Sequence, residues 1–232
     1  MLSDRCFVLA EAGTCHADPD PTARFRKAIA YVHAAKNARA SAVKFQWFAG
    51  GKLFCPYEGD EKRIPRWMDS VLDINQWAQI KECAEACGLV FLASAFENKT
   101  VHWLSQLGVV ASKVASRAAS SFPYAEAPSP YLVSNGMSPV KGGDDTIVFQ
   151  CEAKYPSTDR WKGEHPGFSD HSGNPWRAID AISRGCGIVE VHYYVNAVDA
   201  GPDLPASLTL EELSLICLAR DAFADFKQLE KT

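Results

Sequence analysis

The 232-residue chain carries 24 lysines and arginines against 28 aspartates and glutamates, a formal net charge of −4, and is 47% hydrophobic and 22% charged. Those fractions suit a core-forming chain and exclude a disordered or collagen-like one, while the acidic balance argues against a broad nucleic-acid surface. No apolar run reaches the roughly 18–20 residues of a membrane span, and Cys6–Ala10 is too brief for a secretory core, so the chain reads as soluble and cytoplasmic.

The first apolar run with strand character is Cys6–Ala12, and Phe25, Ile29, Val32 and Ala35 predict a helix over Thr22–Asn37. A strand follows at Ala42–Trp47, then a polar loop over Gly50–Met68. Asp73–Cys87 is helical, with Asn75 as N-cap and Gly88 as the stop. Leu89–Ala95 reads as a strand and Lys99–Leu107 as a short helix closed by Gly108. Further strands fall at Ser112–Ser116, Tyr131–Asn135, Thr146–Cys151, Gly167–Asp170 and Gly187–Tyr194. Helices are read at Pro175–Arg184 and Thr209–Phe226. Eight strands alternating with helices predict an α/β fold, a closed (β/α)8 TIM barrel. Only about ten residues join the fifth strand to the sixth, and Asp159–Pro166 lacks an apolar period. The barrel is therefore shortened, with the helices after strands 5 and 6 missing or vestigial.

Eight cysteines, at 6, 15, 55, 83, 87, 151, 186 and 217, are scattered through apolar segments without paired Cys-x-x-Cys spacing. They read as reduced thiols. Cys83 and Cys87, four apart on a predicted helix, would make half of a metal site, but small core residues are the plainer reading.

Strand alternation says which side chains enter the barrel. In the last strand Glu190 and His192 oppose an aliphatic face of Val189 and Val191, and in the second Lys44 and Gln46 oppose Val43 and Phe45. Glu11, Lys113, Ser134, Ser169 and His171 join them. Lys113 and Ser116 are three apart, so a bulge or the strand end must lie between them. Buried ions need pairing or a ligand. Two lysines with serines suit an anion such as phosphate or carboxylate, and two histidines at adjacent strand ends suit a divalent metal. Barrels place active sites at those ends. The bland alternatives are an interior ion pair of Lys44 with Glu11 or Glu190, and structural histidines.

The segments carrying these residues resemble the N-acetylneuraminate (sialic acid) synthase family. Leu9-Ala10-Glu11-Ala12-Gly13, Ala42-Val43-Lys44-Phe45-Gln46 and Ser112-Lys113-Val114-Ala115-Ser116 are similar to its opening motif, second strand and fourth strand. Leu132-Val133-Ser134-Asn135-Gly136-Met137, Tyr155-Pro156, Phe168-Ser169-Asp170-His171, Glu190-Val191-His192 and Gly201-Pro202-Asp203 continue the likeness in order, from Cys6 to about Phe226. The resemblance implies an enzyme that condenses phosphoenolpyruvate with an aldose to a 2-keto-3-deoxy sugar acid plus phosphate. It implies that Lys44, Gln46, Lys113, Ser116, Ser134 and Ser169 hold phosphoenolpyruvate, and that His171 and His192 hold Mn2+ or Mg2+. Glu11, His171 and His192 would be the catalytic set, with Tyr155 and Asp203 lining the acceptor.

The departures lie mostly on the acceptor side. Arg117-Ala118 stands where the family has Gly-Glu, Cys15 where it has Asn, and Ala153 where a polar residue is usual. An acceptor different from or smaller than N-acetylmannosamine is the expectation. With the sequence ending at Thr232, a single barrel domain over 1–232 is expected, without the family's C-terminal antifreeze-like domain. Two other readings stand beside the synthase: a pyruvate aldolase with Lys113 or Lys44 as Schiff-base nucleophile, and a non-catalytic barrel serving binding or assembly. Strand backs left bare by missing helices would need a loop or a second copy, a homo-oligomer, to cover them. The six tryptophans read as packing residues, with Trp161 alone kept as an acceptor contact.

Overall fold

Alternating residues of period two form the strands here, and capped amphipathic segments form the helices between them. The computed structural model describes residues 5–229, so the Thr232 end of the chain lies outside the described residues. In chain order the elements are β1 (Phe7–Gly13), α1 (Pro21–Asn37), β2 (Ala42–Trp47), α2 (Ile64–Asp69), α3 (Ile74–Ala86), β3 (Val90–Ala95), α4 (Asn98–Gln106) and β4 (Ser112–Val114). Then come β5 (Tyr131–Ser134), β6 (Thr146–Cys151), β7 (Gly167–Asp170), α5 (Pro175–Ser183), β8 (Ile188–Tyr193), α6 (Ala197–Ala200), β9 (Ser207–Leu208) and α7 (Leu210–Leu229). Neighbouring strands pair in sequence order, and β1 pairs with both β2 and β8, which closes the sheet into an eight-stranded parallel barrel. The two-residue β9 extends the end of β8.

The shortened barrel is present as the sequence predicts. No α-helix follows β5 or β6 among the described residues, and the β4–β5 connection holds only a 3-10 turn at Tyr124–Glu126. That third shortening went unread. The backs of β5 and β6 are covered by the chain's own loops. Val133 and Val148 are buried. Gln150 on β6 donates to Asp159 Oδ2 and to the Arg160 carbonyl, both at 2.7 Å, and accepts from Lys162 N. These strands thus have a cover from within the chain.

Helix starts follow capping chemistry. Asp20 accepts from Thr22 N before Pro21, and Asn174 accepts from Trp176 N before Pro175. At α3 the cap is Asp73, not Asn75: Asp73 accepts from Gln76 N at 2.9 Å, and Gln76 accepts from Asp73 N at 3.0 Å. The Asp-x-x-Gln spacing of a capping box was legible there. The predicted Gly50–Met68 loop also contains the start of α2 and a 3-10 turn at Asp60–Lys62.

The strands separate two apolar layers. Their outward residues, among them Val8, Val43, Phe45, Trp47, Val189 and Val191, pack under the helices. Trp47 meets Trp77 and Trp103 there, as its place in the alternation predicts. Inside the barrel a smaller cluster of Leu9, Ala42, Leu92, Ala111, Leu132, Phe149 and Ile188 fills the end where the strands begin. No helix is long and apolar enough to cross a membrane among the described residues.

Candidate active site

Two residues beyond that apolar plug, every strand except β6, which offers Cys151, presents a polar side chain on the same inward face. The register aligns them: Glu11 pairs with Lys44 and His192, Ser94 with Lys113, and Ser169 with Glu190. They line a cavity of about 470 Å³ at the C-terminal ends of the strands. Glu11, Lys44, Lys113 and Glu190 are each at most 4% exposed, so four formal charges lie inside the barrel. Only mutual pairing makes that tolerable.

The pairing is specific. Lys44 Nζ lies 2.7 Å from Glu11 Oε2 and donates to Ser94 Oγ at 3.1 Å. Lys113 Nζ donates to Ser134 Oγ at 2.7 Å and lies 3.4 Å from Glu190 Oε2, over the ring of Phe149. Ser169 Oγ donates to Glu190 Oε1 at 3.0 Å. Burial drives the Glu11 carboxyl up, against the pull of Lys44. For Glu190, burial pushes the same way, but Lys113 and Lys44 outweigh it and hold the carboxyl low. Glu11 Oε1 is buried without a hydrogen-bond partner.

His171 and His192 sit side by side at the cavity wall, ring centroids 5.3 Å apart. Burial lowers the first to about 3, helped by His192, and the second to about 4, so both imidazoles are neutral at neutral pH. His171 Nδ1 lies 3.1 Å from the Glu152 carbonyl, an acceptor, so that nitrogen carries the proton and Nε2 keeps its lone pair. Two neutral imidazoles are nitrogen donors of the kind a divalent cation takes, although among the described residues no carboxylate or thiol joins them in a three-ligand group.

The remaining predicted residues fall into place around this centre. Gln46, Ser116, Ser134, Tyr155 and Asp203 all line the cavity. Ser116 does so because β4 ends at Val114, which frees the chain from alternation. Tyr155 is partly exposed and stacks on His171 at 4.6 Å, edge-on to His192 at 5.9 Å. Two glycines shape the rim. The β1–β2 register shifts between Glu11 and Gly13, where Gly13 adopts a φ of 54°. Gly201 has a φ of 56°, and a Cβ on it would meet Arg66 Nη1 at 2.5 Å. That close approach explains the glycine two residues before Asp203.

Most of one wall escaped the sequence, which singled out only Arg117 there, as a departure on the acceptor side. Asp60, Arg63, Arg66, Trp67 and Arg117 line the cavity from the long segment after β2 and from just beyond β4. Arg117 forks onto Asp60 at 3.0 and 2.5 Å, donates to the Cys55 carbonyl at 2.7 Å and lies over Tyr57 and Trp67. Arg66 donates to Thr14 Oγ1 at 2.8 Å, to the Thr14 carbonyl and to the Asp199 carbonyl. The available signal was length, since a long connection at the functional end of a barrel is a binding element more often than a spacer. Trp161 is not among the cavity's lining residues. It is buried outside the barrel, its Nε1 donating to the His165 carbonyl, with Arg184 over the ring. His16 also points away, packed edge-on against Phe45 and Trp77, with Nε2 2.9 Å from the Ser70 carbonyl.

With this geometry in place, likeness to known proteins becomes informative. The sequence model of the NeuB family matches residues 31–225. An N,N'-diacetyllegionaminic acid synthase of Legionella pneumophila is 26% identical over 261 residues, an alignment spanning 94% of this chain and 72% of that protein. The N-acetylneuraminate-9-phosphate synthase of Homo sapiens is 26% identical over 253 residues, covering 90% of this chain and 67% of its own length. In fold, the crystal structure of an N-acetylneuraminic acid synthetase from Leptospira borgpetersenii superposes with a TM-score of 0.78 at 19% identity, over 96% of this chain and 85% of that one. A truncated 3-deoxy-D-arabino-heptulosonate 7-phosphate synthase from Thermotoga maritima follows at 0.64 and 13%, over 95% and 87%.

Proposed function

The chain belongs to the NeuB family, and from that premise we propose that it condenses phosphoenolpyruvate with an aldose, giving a 2-keto-3-deoxy sugar acid and phosphate. The observation that carries this reading is the ring of buried, mutually paired Glu11, Lys44, Lys113 and Glu190 beside two neutral histidines in one cavity. An anion with two acidic groups is what such a ring can exchange into. Each ammonium has three donors. Lys44 and Lys113 each direct one to a serine and one toward a carboxylate, which leaves capacity for substrate oxygens. Ser116, Ser134, Ser169 and Gln46 supply further hydrogen bonds around phosphate and carboxylate.

In the reaction, C3 of the enol phosphate forms a bond to the aldehyde carbon of the acceptor while water adds at C2. The resulting tetrahedral phosphate adduct collapses by C–O cleavage and releases inorganic phosphate. Lys44 and Lys113 stabilise the negative charge through these steps. Glu11 takes up one proton of the adding water, a role that suits a carboxyl raised by burial, and passes it to the alkoxide formed on the former aldehyde carbon. The other proton leaves with phosphate as the adduct collapses. Mn2+ or Mg2+, held by His171 and His192, would polarise the aldehyde oxygen. Tyr155, stacked on His171, and Asp203 face the acceptor. Arg117, standing where the family carries Gly-Glu and bound to Asp60, lines the cavity and alters that side of it. The acceptor we assign is accordingly a sugar other than, or smaller than, N-acetylmannosamine.

The test is phosphate release from phosphoenolpyruvate with Mn2+ across a panel of aldoses that includes N-acetylmannosamine and smaller sugars. Release that requires metal and one aldose, and that His171→Ala abolishes, is the expected result. Failure of the wild-type chain to bind either phosphoenolpyruvate or metal would overturn it in favour of a non-catalytic barrel. Burial lowers the Lys113 amine, which makes it the better Schiff-base candidate of the two lysines. Borohydride trapping with pyruvate separates that reading, and no adduct is expected.

A further inference from the structure

Outside the barrel, at the end opposite the cavity, α1 and α3 bring together three side chains that the reaction does not use. His33 lies one turn before the end of α1, Cys83 lies in the last turn of α3, and Cys87 follows as its C-cap. Both helices end just before their following strands begin, so this cluster sits where the strands start and the active-site residues sit where they finish. Cys83 and Cys87 are four apart on one helix and share a face. Fifty residues of sequence separate His33 from them, and only the packing of α1 on α3 closes that gap.

We propose that His33, Cys83 and Cys87 form a binding site for a thiophilic d10 cation of the Zn2+ type, which clamps α1 to α3.

Cys83 Sγ is 3.8 Å from His33 Nε2, and Cys87 Sγ is 3.7 Å from His33 Nδ1. One ligand atom from each residue lies within 4.8 Å of the other two. Zinc–sulfur and zinc–nitrogen bonds of about 2.3 and 2.0–2.1 Å make tetrahedral edges of roughly 3.5–3.8 Å, so little movement separates the observed atoms from a coordinating set. The ring stands between the two sulfurs, and turning it about its Cβ–Cγ bond directs one nitrogen to the centre. His33 is exposed, which leaves it that freedom and leaves the fourth coordination position open to water.

Accessibility sets these thiols apart. The other six cysteines are buried, whereas Cys83 and Cys87 are only half-buried, and all eight are free thiols. The C-terminal ends of two helices also meet here, and the partial negative charge of their last carbonyls favours a cation. The donor chemistry differs from that of the barrel. Two thiols and an imidazole select zinc-type ions over Mg2+ or Mn2+, which favour oxygen. Burial and the neighbouring Cys87 push the Cys83 thiol up. Loading therefore releases protons and tightens as pH rises.

Co2+ binding to the reduced full chain is the experiment, since cobalt bound by thiolates absorbs in the near ultraviolet. The expected result is a thiolate-to-cobalt band that Zn2+ displaces, that Cys83→Ser combined with Cys87→Ser removes, and that Cys151→Ala leaves intact. The last control is needed because Cys151 Sγ lies 3.6 Å from His171 Nδ1. The exposed His33→Ala should weaken Zn2+ binding at least about tenfold, the range already lost when a ligand's outer-shell partner is removed. Zn2+ should raise the melting temperature of the wild type and not that of the double variant. Absence of the band, its survival in the double variant, or unchanged Zn2+ affinity in His33→Ala would each overturn the proposal.

Discussion

The two ends of the barrel lumen are built by the same strands and share one alternation, yet they differ completely in chemistry. At the strand starts Leu9, Leu92, Leu132, Phe149 and Ile188 close the interior. Two residues along, the same inward faces carry Glu11, Ser94, Ser134, Cys151 and Glu190. The comparison teaches that polarity is confined to the C-terminal end of the barrel lumen and supported from below by a close-packed apolar plug. Cavity polarity then concerns ligands, and plug packing concerns stability. Substitutions that move one property without the other test that division.

The largest effect belongs to the charged layer. Lys113→Met removes the partner of a buried carboxylate and should cost about 3–5 kcal/mol in chemical denaturation. Phosphate release per folded molecule should fall about a hundredfold or more, the scale of losing one preorganised charge-stabilising donor. Leu9→Ala, in the plug, should cost a comparable 2–5 kcal/mol, roughly, while turnover per folded molecule stays unchanged. If Leu9→Ala lost activity in step with Lys113→Met, the two layers would not be separable. Tyr155→Ala sharpens the picture at the rim. This partly exposed ring stacks on His171, so its loss should raise the acceptor KM several-fold and move stability by under about 0.5 kcal/mol. Least of all, Asp73→Ala removes the α3 cap and should cost about 1 kcal/mol, with kinetics untouched.

The division between layers also marks what could be read from the sequence. Period-two patterns with one aliphatic and one polar face, as at Ala42–Trp47 and Ile188–Tyr193, reveal their inward residues without a structure. Lys44, Glu190 and His192 were legible for that reason. The wall carrying Arg63 and Arg66 was not, because no local period places a loop. Long-range contacts do: Glu97 accepts from Ala49 N and Gly51 N, both at 2.9 Å, and Arg66 reaches Thr14 and Asp199. Trp161 was misread because a tryptophan in a polar loop resembles a ligand contact, and here it is buried with a backbone partner for its indole. His33 gave no signal at all, since its partners lie one helix and one strand further along the chain.

The central claim is that the charged layer at the strand ends is an anion site for phosphoenolpyruvate, held up by the plug but not made by it. Titration of phosphoenolpyruvate into the wild type, Lys113→Met and Leu9→Ala by calorimetry, with Mn2+ present, tests this most directly. The account predicts matching affinities for wild type and Leu9→Ala, and a loss of at least about tenfold for Lys113→Met. Undetectable binding to the wild type, or equal binding to Lys113→Met, would contradict it.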